Sequence, residues 1–251
     1  MKKLLSGALV AGTMAIGFLG QVSSAEAATM FQFTNIFTAN GSPADGQSGA
    51  TDSYAQYFGF DVLNTSATQV TFKIYNNTPT TSPIGTTTTP TITDIFFDQS
   101  DALSSYLSGI VSATGSNNTV QYSTKSCTGN TGPGNNGCNF PQGNNINWDT
   151  DFVALASNPS VQNGVDPTES VSILFNLATG RNYQDVLNAI ASTTNLRVGI
   201  HVQELPGGAS DSFVSVPTPA LLPGLIGMGV AAMRKKKREE ELETVAQEAE
   251  A

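Results

Sequence analysis

The chain has 251 residues and a net charge of −9 at neutral pH. Between Ala28 and Val216 it carries only four basic but 13 acidic side chains. Such a region has no basic patch to neutralise phosphates, which argues against nucleic-acid binding, and its abundance of Thr, Asn, Ser and Gly is typical of a secreted β-protein rather than a cytosolic enzyme.

The first 27 residues have the layout of a secretory signal peptide. Two lysines follow the initial methionine, residues 4–19 are apolar, and Ala25 and Ala27 supply the small side chains that precede a cut before Ala28. An uncleaved membrane anchor is the alternative. We therefore expect an exported protein whose fold begins at residue 28.

Between residues 28 and 215 the apolar side chains mostly recur with period two, which predicts β-strands. The predicted strands are 30–38, 57–63, 69–75, 91–97, 170–177, 196–202 and 212–216, with a weaker candidate at 152–155. The stretches 78–90 and 115–147 are rich in turn residues and are predicted to be loops.

One segment changes to helical period. Between residues 182 and 192, Tyr183, Val186, Leu187 and Ile190 form a single apolar stripe, which predicts a helix. Residues 101–107 predict a shorter helix or turn. Many short strands with one late helix indicate an all-β fold, an antiparallel β-sandwich for which the jelly roll is one available topology.

Two cysteines, Cys127 and Cys138, bracket a loop rich in Asn and Gly. In an exported chain such a pair most simply forms one disulfide, and two free thiols are the alternative. Closing a loop of this length stabilises a fold by about 3 kcal/mol in the chain-entropy model. A metal site is disfavoured because no histidine is near in sequence.

Candidate catalytic groups are few. The single histidine, His201, is in a predicted strand on the face opposite Ile200 and Val202, so we expect it to face solvent rather than to act as a base. Carboxylates could form a glycosidase pair or a calcium site. The carboxylates considered are Asp94, Asp98, Asp149, Asp151, Asp166 and Glu169. None forms a recognisable motif, so we predict no catalytic residue, no cofactor and no metal.

Trp148, the only tryptophan, directly precedes the alternating carboxylates Asp149 and Asp151. Its ring could stack on a sugar, and Tyr54 and Tyr122 are further candidates for the same role. The simpler interpretation is a core tryptophan beside a polar loop.

The C-terminal region has three parts: a short Pro-containing motif, an apolar stretch at 220–233 and a basic cluster. The signal residues are Val216, Pro217, Thr218, Pro219 and Ala220, then Arg234, Lys235, Lys236, Lys237 and Arg238. As a helix the apolar stretch would span about 21 Å, short of the ~30 Å hydrocarbon core. Because the basic cluster would stay on the cytoplasmic side, the physics favours a transient stop that is recognised and cut. A marginal transmembrane anchor is the alternative.

This tail resembles a PEP-CTERM sorting signal, in the variant that begins Pro-Thr-Pro-Ala. The resemblance implies processing by an exosortase, a membrane-embedded transpeptidase of Gram-negative envelopes, with a cut close to residues 216–219. Such systems usually accompany exopolysaccharide and biofilm production. Thr218 stands where Glu is usual, and an acidic extension follows the basic cluster. Segments 92–98, 163–169 and 196–202, with Asp211-Ser-Phe213, also resemble a recurring group of exosortase-dependent surface proteins.

We therefore predict four segments: a signal peptide (1–27), a β-sandwich ectodomain (28–215), a sorting signal (216–238) and an acidic tail (239–251). The leading hypothesis is a non-enzymatic protein of the cell surface or extracellular matrix. Its expected partners are signal peptidase, exosortase, the inner membrane before processing, and exopolysaccharide. The alternatives are a carbohydrate-binding module and a glycan-cleaving enzyme with an Asp/Glu pair.

Overall fold

The computed structural model describes residues 29–36, 51–80, 89–99, 105–127, 137–192 and 195–216. The predicted signal peptide, with Ala25, Ala27 and Ala28, lies outside these residues, as do the acidic tail and the sorting signal beyond Val216. Within the described ranges, no helix has the length and apolar character needed to cross a membrane.

The described ranges contain ten strands, all paired antiparallel, and most of them follow the period-two pattern of the sequence. They are β1 Thr29–Asn35, β2 Phe58–Ser66, β3 Gln69–Asn76, β4 Thr91–Gln99, β5 Leu107–Gly115, β6 Tyr122–Ser126, β7 Phe152–Ala156, β8 Ser170–Leu177, β9 Leu196–Leu205 and β10 Ala209–Val216. They form one sheet in the order β5-β8-β3-β2-β1-β10-β9-β4-β7-β6. The predicted all-β class, antiparallel pairing and late helix are confirmed.

The sheet curls until its two outermost strands, β5 and β6, contact each other, so the fold is nearly a closed barrel or sandwich. At the middle of the strand order, the first strand pairs with the last. In this β1–β10 seam, Gln32 is opposite Val216 and Asn35 is opposite Phe213. The seam joins two half-sheets of five strands each, β1-β2-β3-β8-β5 and β10-β9-β4-β7-β6.

The inner faces of the two half-sheets bury a core rich in phenylalanine. At its centre the ring of Phe175 on β8 lies 4.7 Å from Phe97, 5.5 Å from Phe72 and 5.5 Å from Phe152, all edge-on. Edge-to-face packing suits the charge distribution of aromatic rings and adds to the hydrophobic gain. These four rings come from both half-sheets, so they hold one half against the other.

The predicted late helix is α2, Tyr183–Ala191, which follows a single turn of helix, α1, at Ser160–Asn163. Its N-terminus has a capping box: the Asp185 amide donates to the Asn182 side chain at 3.2 Å, and the Asn182 amide donates to Asp185 Oδ2 at 2.9 Å. Val186 and Ile190 are buried in the main core. The apolar stripe of the sequence therefore faces inward, as predicted.

Two strands were not predicted, β5 and β6, and the prediction of a continuous loop over 115–147 is wrong where it covers β6. Two register shifts within β5, where it pairs with β8, interrupt its alternation, and β6 has the polar sequence Tyr-Ser-Thr-Lys-Ser. Both strands lie at the ends of the strand order, where long-range pairing rather than burial determines the structure. Of the helix or turn predicted at 101–107, Leu107 begins β5 and residues 101–104 lie outside the described ranges.

Replacing Phe175 by Ala should lower the free energy of unfolding by about 3–5 kcal/mol, because it removes a buried ring and leaves a cavity between the half-sheets. Urea unfolding of the exported protein measures this loss. Val111→Ala on β5 is the matched control, since Val111 is 48% exposed and its truncation should change stability by no more than about 0.5 kcal/mol. Similar losses in both variants would contradict this account of the core.

Candidate functional site

The outer face of the second half-sheet is covered by the segment that follows the cysteines. Cys127 and Cys138 are joined in a disulfide, and both are buried. With Phe96, Phe140 and Val153 they form a second apolar cluster, here called the outer cluster. The disulfide predicted from the sequence thus fastens a cover onto β4, β7 and β9.

Trp148 packs against this outer cluster. Its ring centroid lies 4.5 Å from that of Phe140, the Arg197 guanidinium lies 4.9 Å from the ring, and the indole N–H donates to Thr150 at 3.0 Å. Gly199 of β9 makes room for both rings, since a Cβ there would lie 2.7 Å from Phe140 and 3.0 Å from Trp148. The tryptophan therefore has structural partners on the covered face, while its predicted glycan contact stays a prediction.

Asp98, one of the candidate carboxylates, is bound by the Arg197 side chain that lies against the Trp148 ring. Arg197 forms an ion pair with buried Asp98 and donates to the carbonyl oxygens of Ile146 and Asn147, each at 2.8 Å. The Asp149 amide also donates to Asp98, at 3.3 Å. Burial raises the pKa of Asp98, and the adjacent Arg197 opposes that rise. Because its Oδ2 accepts from both Arg197 and the Asp149 amide, Asp98 acts here as a structural anchor for the 137–150 segment.

Asp151, which lies close to Asp98 and Asp149, has a strongly raised pKa. Burial raises its pKa to about 6, and the charges of Asp98 and Asp149 add to the rise, while the Gln99 amide, donating at 2.6 Å, opposes it. Like charges held near one another disfavour ionisation of each. Asp151 is therefore held partly protonated close to neutral pH by its position in the fold.

His201 is half-buried on β9, and the expectation that it would face solvent is wrong. It is opposite Asp94 of β4 and Ser212 of β10, and its Nδ1 lies 3.2 Å from the Ser212 hydroxyl. Burial raises the pKa of Asp94 and lowers the pKa of His201, and the attraction between the two opposes both shifts. The Ser212 side chain is fully buried, so this row of acid, imidazole and hydroxyl gives no substrate access to a nucleophile.

The first half-sheet has an open outer face, and a groove of about 300 Å³ lies on it. The groove is formed by residues of β1, β2 and β3 and by the turn that precedes β8. Its lining residues are Met30, Asp61, Lys73, Tyr75, Asn77, Thr168, Glu169 and Ser170. Strand register aligns Met30, Asp61 and Lys73 in one row across the sheet, and Tyr75 belongs to the adjacent row.

Tyr75 forms the floor of this groove. It is opposite Gly59, and a Cβ on that glycine would lie 2.6 to 2.7 Å from the phenol ring and hydroxyl, so the ring lies directly on the Gly59 backbone. Burial raises the pKa of Tyr75 to about 12, and the Asp61 carboxylate adds to that rise. The ring is thus held in place at a position that only glycine on the neighbouring strand permits.

The turn at 165–169 forms one wall, and buried Asn76 of β3 fastens it. The Asn76 side chain donates to the Val165 carbonyl at 3.1 Å and to the Pro90 carbonyl at 2.7 Å, while the Thr168 amide donates to the Asn76 carbonyl at 2.7 Å. Thr168 has a φ of 72°, a backbone conformation that is strained for a β-branched residue. The bonds from Asn76 to Val165 and from Thr168 to Asn76 hold this strained turn in place as a rigid wall, and strained residues of this kind cluster at binding sites.

Tyr54 and Tyr122, the two tyrosines predicted from the sequence as stacking residues, have internal partners instead. Tyr54 is 1% exposed, and the Tyr122 hydroxyl donates to the Ile92 carbonyl at 2.5 Å. Sequence reasoning missed Tyr75 because its partner across the sheet, Gly59, is known only from the register. The useful signal in the sequence was an aromatic residue on the polar face of an otherwise regular strand, at the end of Gln69–Asn76.

Within the described ranges, no group of three or more His, Cys, Asp or Glu side chains has an arrangement that could hold a metal ion. Asp166 instead accepts from the Thr91 hydroxyl at 2.5 Å, and Glu169 accepts from Asn117 at 2.5 Å. No protein-family model, no curated protein and no solved structure matches this chain.

Replacing both Cys127 and Cys138 by Ser should lower the free energy of unfolding by about 2–4 kcal/mol, because the cross-link restricts the unfolded chain. Urea unfolding under non-reducing conditions measures the loss. Wild-type protein in reductant is the internal control, and its free energy of unfolding should fall close to that of the double variant. A wild-type protein whose stability is unchanged by reduction would contradict the assigned role of the disulfide.

Replacing Asp151 by Asn should stabilise the protein more at pH 7.5 than at pH 4. The pKa of Asp151 is about 6 in the fold against an ordinary value of 3.8, so its contribution to stability is complete below the ordinary value and is lost as the pH rises through 6. Asparagine carries no charge at either pH and keeps an acceptor for the Gln99 amide. The measurement is the variant-minus-wild-type urea midpoint across this range, and a difference that does not grow with pH would contradict the prediction.

Proposed function

We propose that this chain is an exported, non-enzymatic protein of the cell surface or extracellular matrix, processed by signal peptidase and an exosortase and associated with exopolysaccharide. The observation that carries the proposal is the β1–β10 seam. β1 begins at Thr29, next to the predicted signal cut, and β10 ends at Val216, where the predicted sorting signal begins. The ten strands of the described part of the chain therefore lie between the two predicted cuts.

The geometry of the seam adds a second argument. Because β1 and β10 are antiparallel and Val216 is opposite Gln32, the start of the first strand and the end of the last strand lie at the same end of the barrel. Cuts beyond these points would leave every strand and the core intact. A fold that tolerates removal of both flanking segments is suited to release from, or transfer at, a membrane.

The covered outer face supports the same proposal. A disulfide persists in oxidising compartments and is rare in the cytosol, and here it fastens the segment that carries Trp148. The groups that sequence reasoning considered for catalysis have internal partners: Asp98 is paired with Arg197, and His201 is bonded to buried Ser212. These contacts favour a structural and binding role over a chemical one.

Full-length protein expressed in a Gram-negative host that contains an exosortase should appear in the envelope or medium, with a C-terminus between Val216 and Ala220. Peptide mass spectrometry of the mature form measures that terminus. Replacing Pro217, Thr218 and Pro219 by Ala should leave the tail attached, because the recognised motif is lost.

A chain that ends at Arg238 is the matched control for this experiment, since it lacks only the acidic extension and should be processed like the full chain. Exported protein that keeps its tail would contradict processing by an exosortase. Protein found only in the cytosol would contradict export itself.

A further inference from the structure

We infer that the groove over Tyr75 is a saccharide-binding site that takes an uncharged pyranose segment of a polysaccharide. The inference deepens the proposed function, on which it rests for the presence of polysaccharide around the protein. It assigns the binding to the open first half-sheet and not to the covered face that contains Trp148.

The floor is an aromatic ring fixed against the sheet. A pyranose has an apolar C–H face, and such a face binds favourably to a flat aromatic surface that loses little conformational freedom on binding. Tyr75 has this property because the Gly59 backbone supports its ring from below. Its hydroxyl, close to Asp61, adds a polar group at the edge, which is the combination of apolar body and polar tip that makes tyrosine common in binding sites.

The rim carries groups that match sugar hydroxyls, which both donate and accept hydrogen bonds. The Asp61 carboxylate can accept hydrogen bonds, the Lys73 ammonium can donate them, and the side-chain amide of Asn77 can do both. Among the residues that the structure describes, Asp61 and Lys73 interact through their charges but form no ion pair with each other. Asn77 is exposed, with its backbone amide bonded to the Tyr57 carbonyl at 2.8 Å. These side chains are therefore available to a ligand.

Charge selects the class of saccharide. The groove contains two carboxylates, Asp61 and Glu169, against one ammonium, Lys73, and the chain as a whole has a net charge of −9. Uronic-acid polymers would be repelled by this field. Glu169 keeps its charge, but both its oxygens accept from the protein, from Asn117 at 2.5 Å and from the Asp166 amide at 3.0 Å. The Lys73 ammonium offsets the Asp61 carboxylate, so no unbalanced carboxylate is left to pair directly with a cationic sugar. An uncharged pyranose fits best.

The volume agrees with a short segment of such a polymer. About 300 Å³ is at the small end of ligand sites, which range over roughly 300–1,000 Å³. The groove is open along the sheet, so a longer chain can enter and leave it without a free end. The rigid wall at Thr168 fixes the width, because Asn76 holds that turn in its strained conformation.

The test uses the exported protein as purified from its host and isothermal titration with defined hexasaccharides. Cellohexaose, mannohexaose and chitohexaose are the uncharged probes, and hexagalacturonate and the fully deacetylated glucosamine hexamer are the anionic and cationic probes. At least one uncharged probe should bind. Tyr75→Ala should weaken that binding about tenfold or more, as expected for a central aromatic contact, and Tyr75→Phe should retain most of it.

Three further variants separate loss of contact from loss of fold. Asp61→Asn, at the rim, should also weaken binding, whereas Asp149→Asn on the covered half-sheet and Trp148→Phe should bind as the wild type does. Urea unfolding checks that each variant is folded. Absence of binding to every uncharged probe, binding confined to a charged probe, or loss in Trp148→Phe without loss in Tyr75→Ala would each overturn the inference.

Fractionation of the same cultures separates this inference from the proposed function. Protein that is exported and processed but binds no uncharged hexasaccharide overturns the groove assignment alone. Protein that stays in the cytosol overturns the proposed function, whatever it binds in the calorimeter.

Discussion

The pairing of β1 with β10 is the interaction on which the rest of this structure depends. It joins residues from the two ends of the fold, Gln32 with Val216, and it lies between two half-sheets of five strands. Such a contact is formed only after a large entropic cost of chain closure. The buried rings that bridge the half-sheets, Phe72 and Phe175 with Phe97, offset that cost from inside the barrel. Seam and core thus stabilise each other.

The two half-sheets use their outer faces in opposite ways. On the second, the disulfide-bonded segment brings Phe140 and Trp148 onto Gly199, so the outer face becomes a second core. On the first, polar alternation leaves the face open, and Tyr75 on Gly59 is the one large aromatic contact at the groove floor. Among the described residues, those of the first half-sheet leave their outer face accessible to a ligand, whereas the outer face of the second is covered. This difference favours Tyr75 over Trp148 as the binding aromatic, although Trp148 is the more conspicuous residue in the sequence.

Sequence patterns were sufficient to predict strands and the helix wherever burial of one face determines the structure. Val171, Ile173 and Phe175 alternate because one face of β8 is in the core, and α2 has both its apolar stripe and its capping residues. The patterns failed where pairing determines structure: β5 has two register shifts and β6 is polar. They failed at the candidate site for a related reason, since the contacts of Tyr75 with Gly59 and of His201 with Ser212 depend on register, which the period of a single strand does not contain.

The groove is complete only when the whole sheet is complete. Met30 comes from β1, Tyr75 from β3, and Thr168 from the turn before β8, so three distant parts of the chain must meet. β1 is held in turn by β10, the last strand before the predicted sorting signal. The strain at Thr168 is tolerated because Asn76, fully buried, bonds the turn from both its backbone and its side chain. Closure of the seam therefore couples the end of the fold to the groove, and a chain that has not closed lacks the binding surface as well as the core.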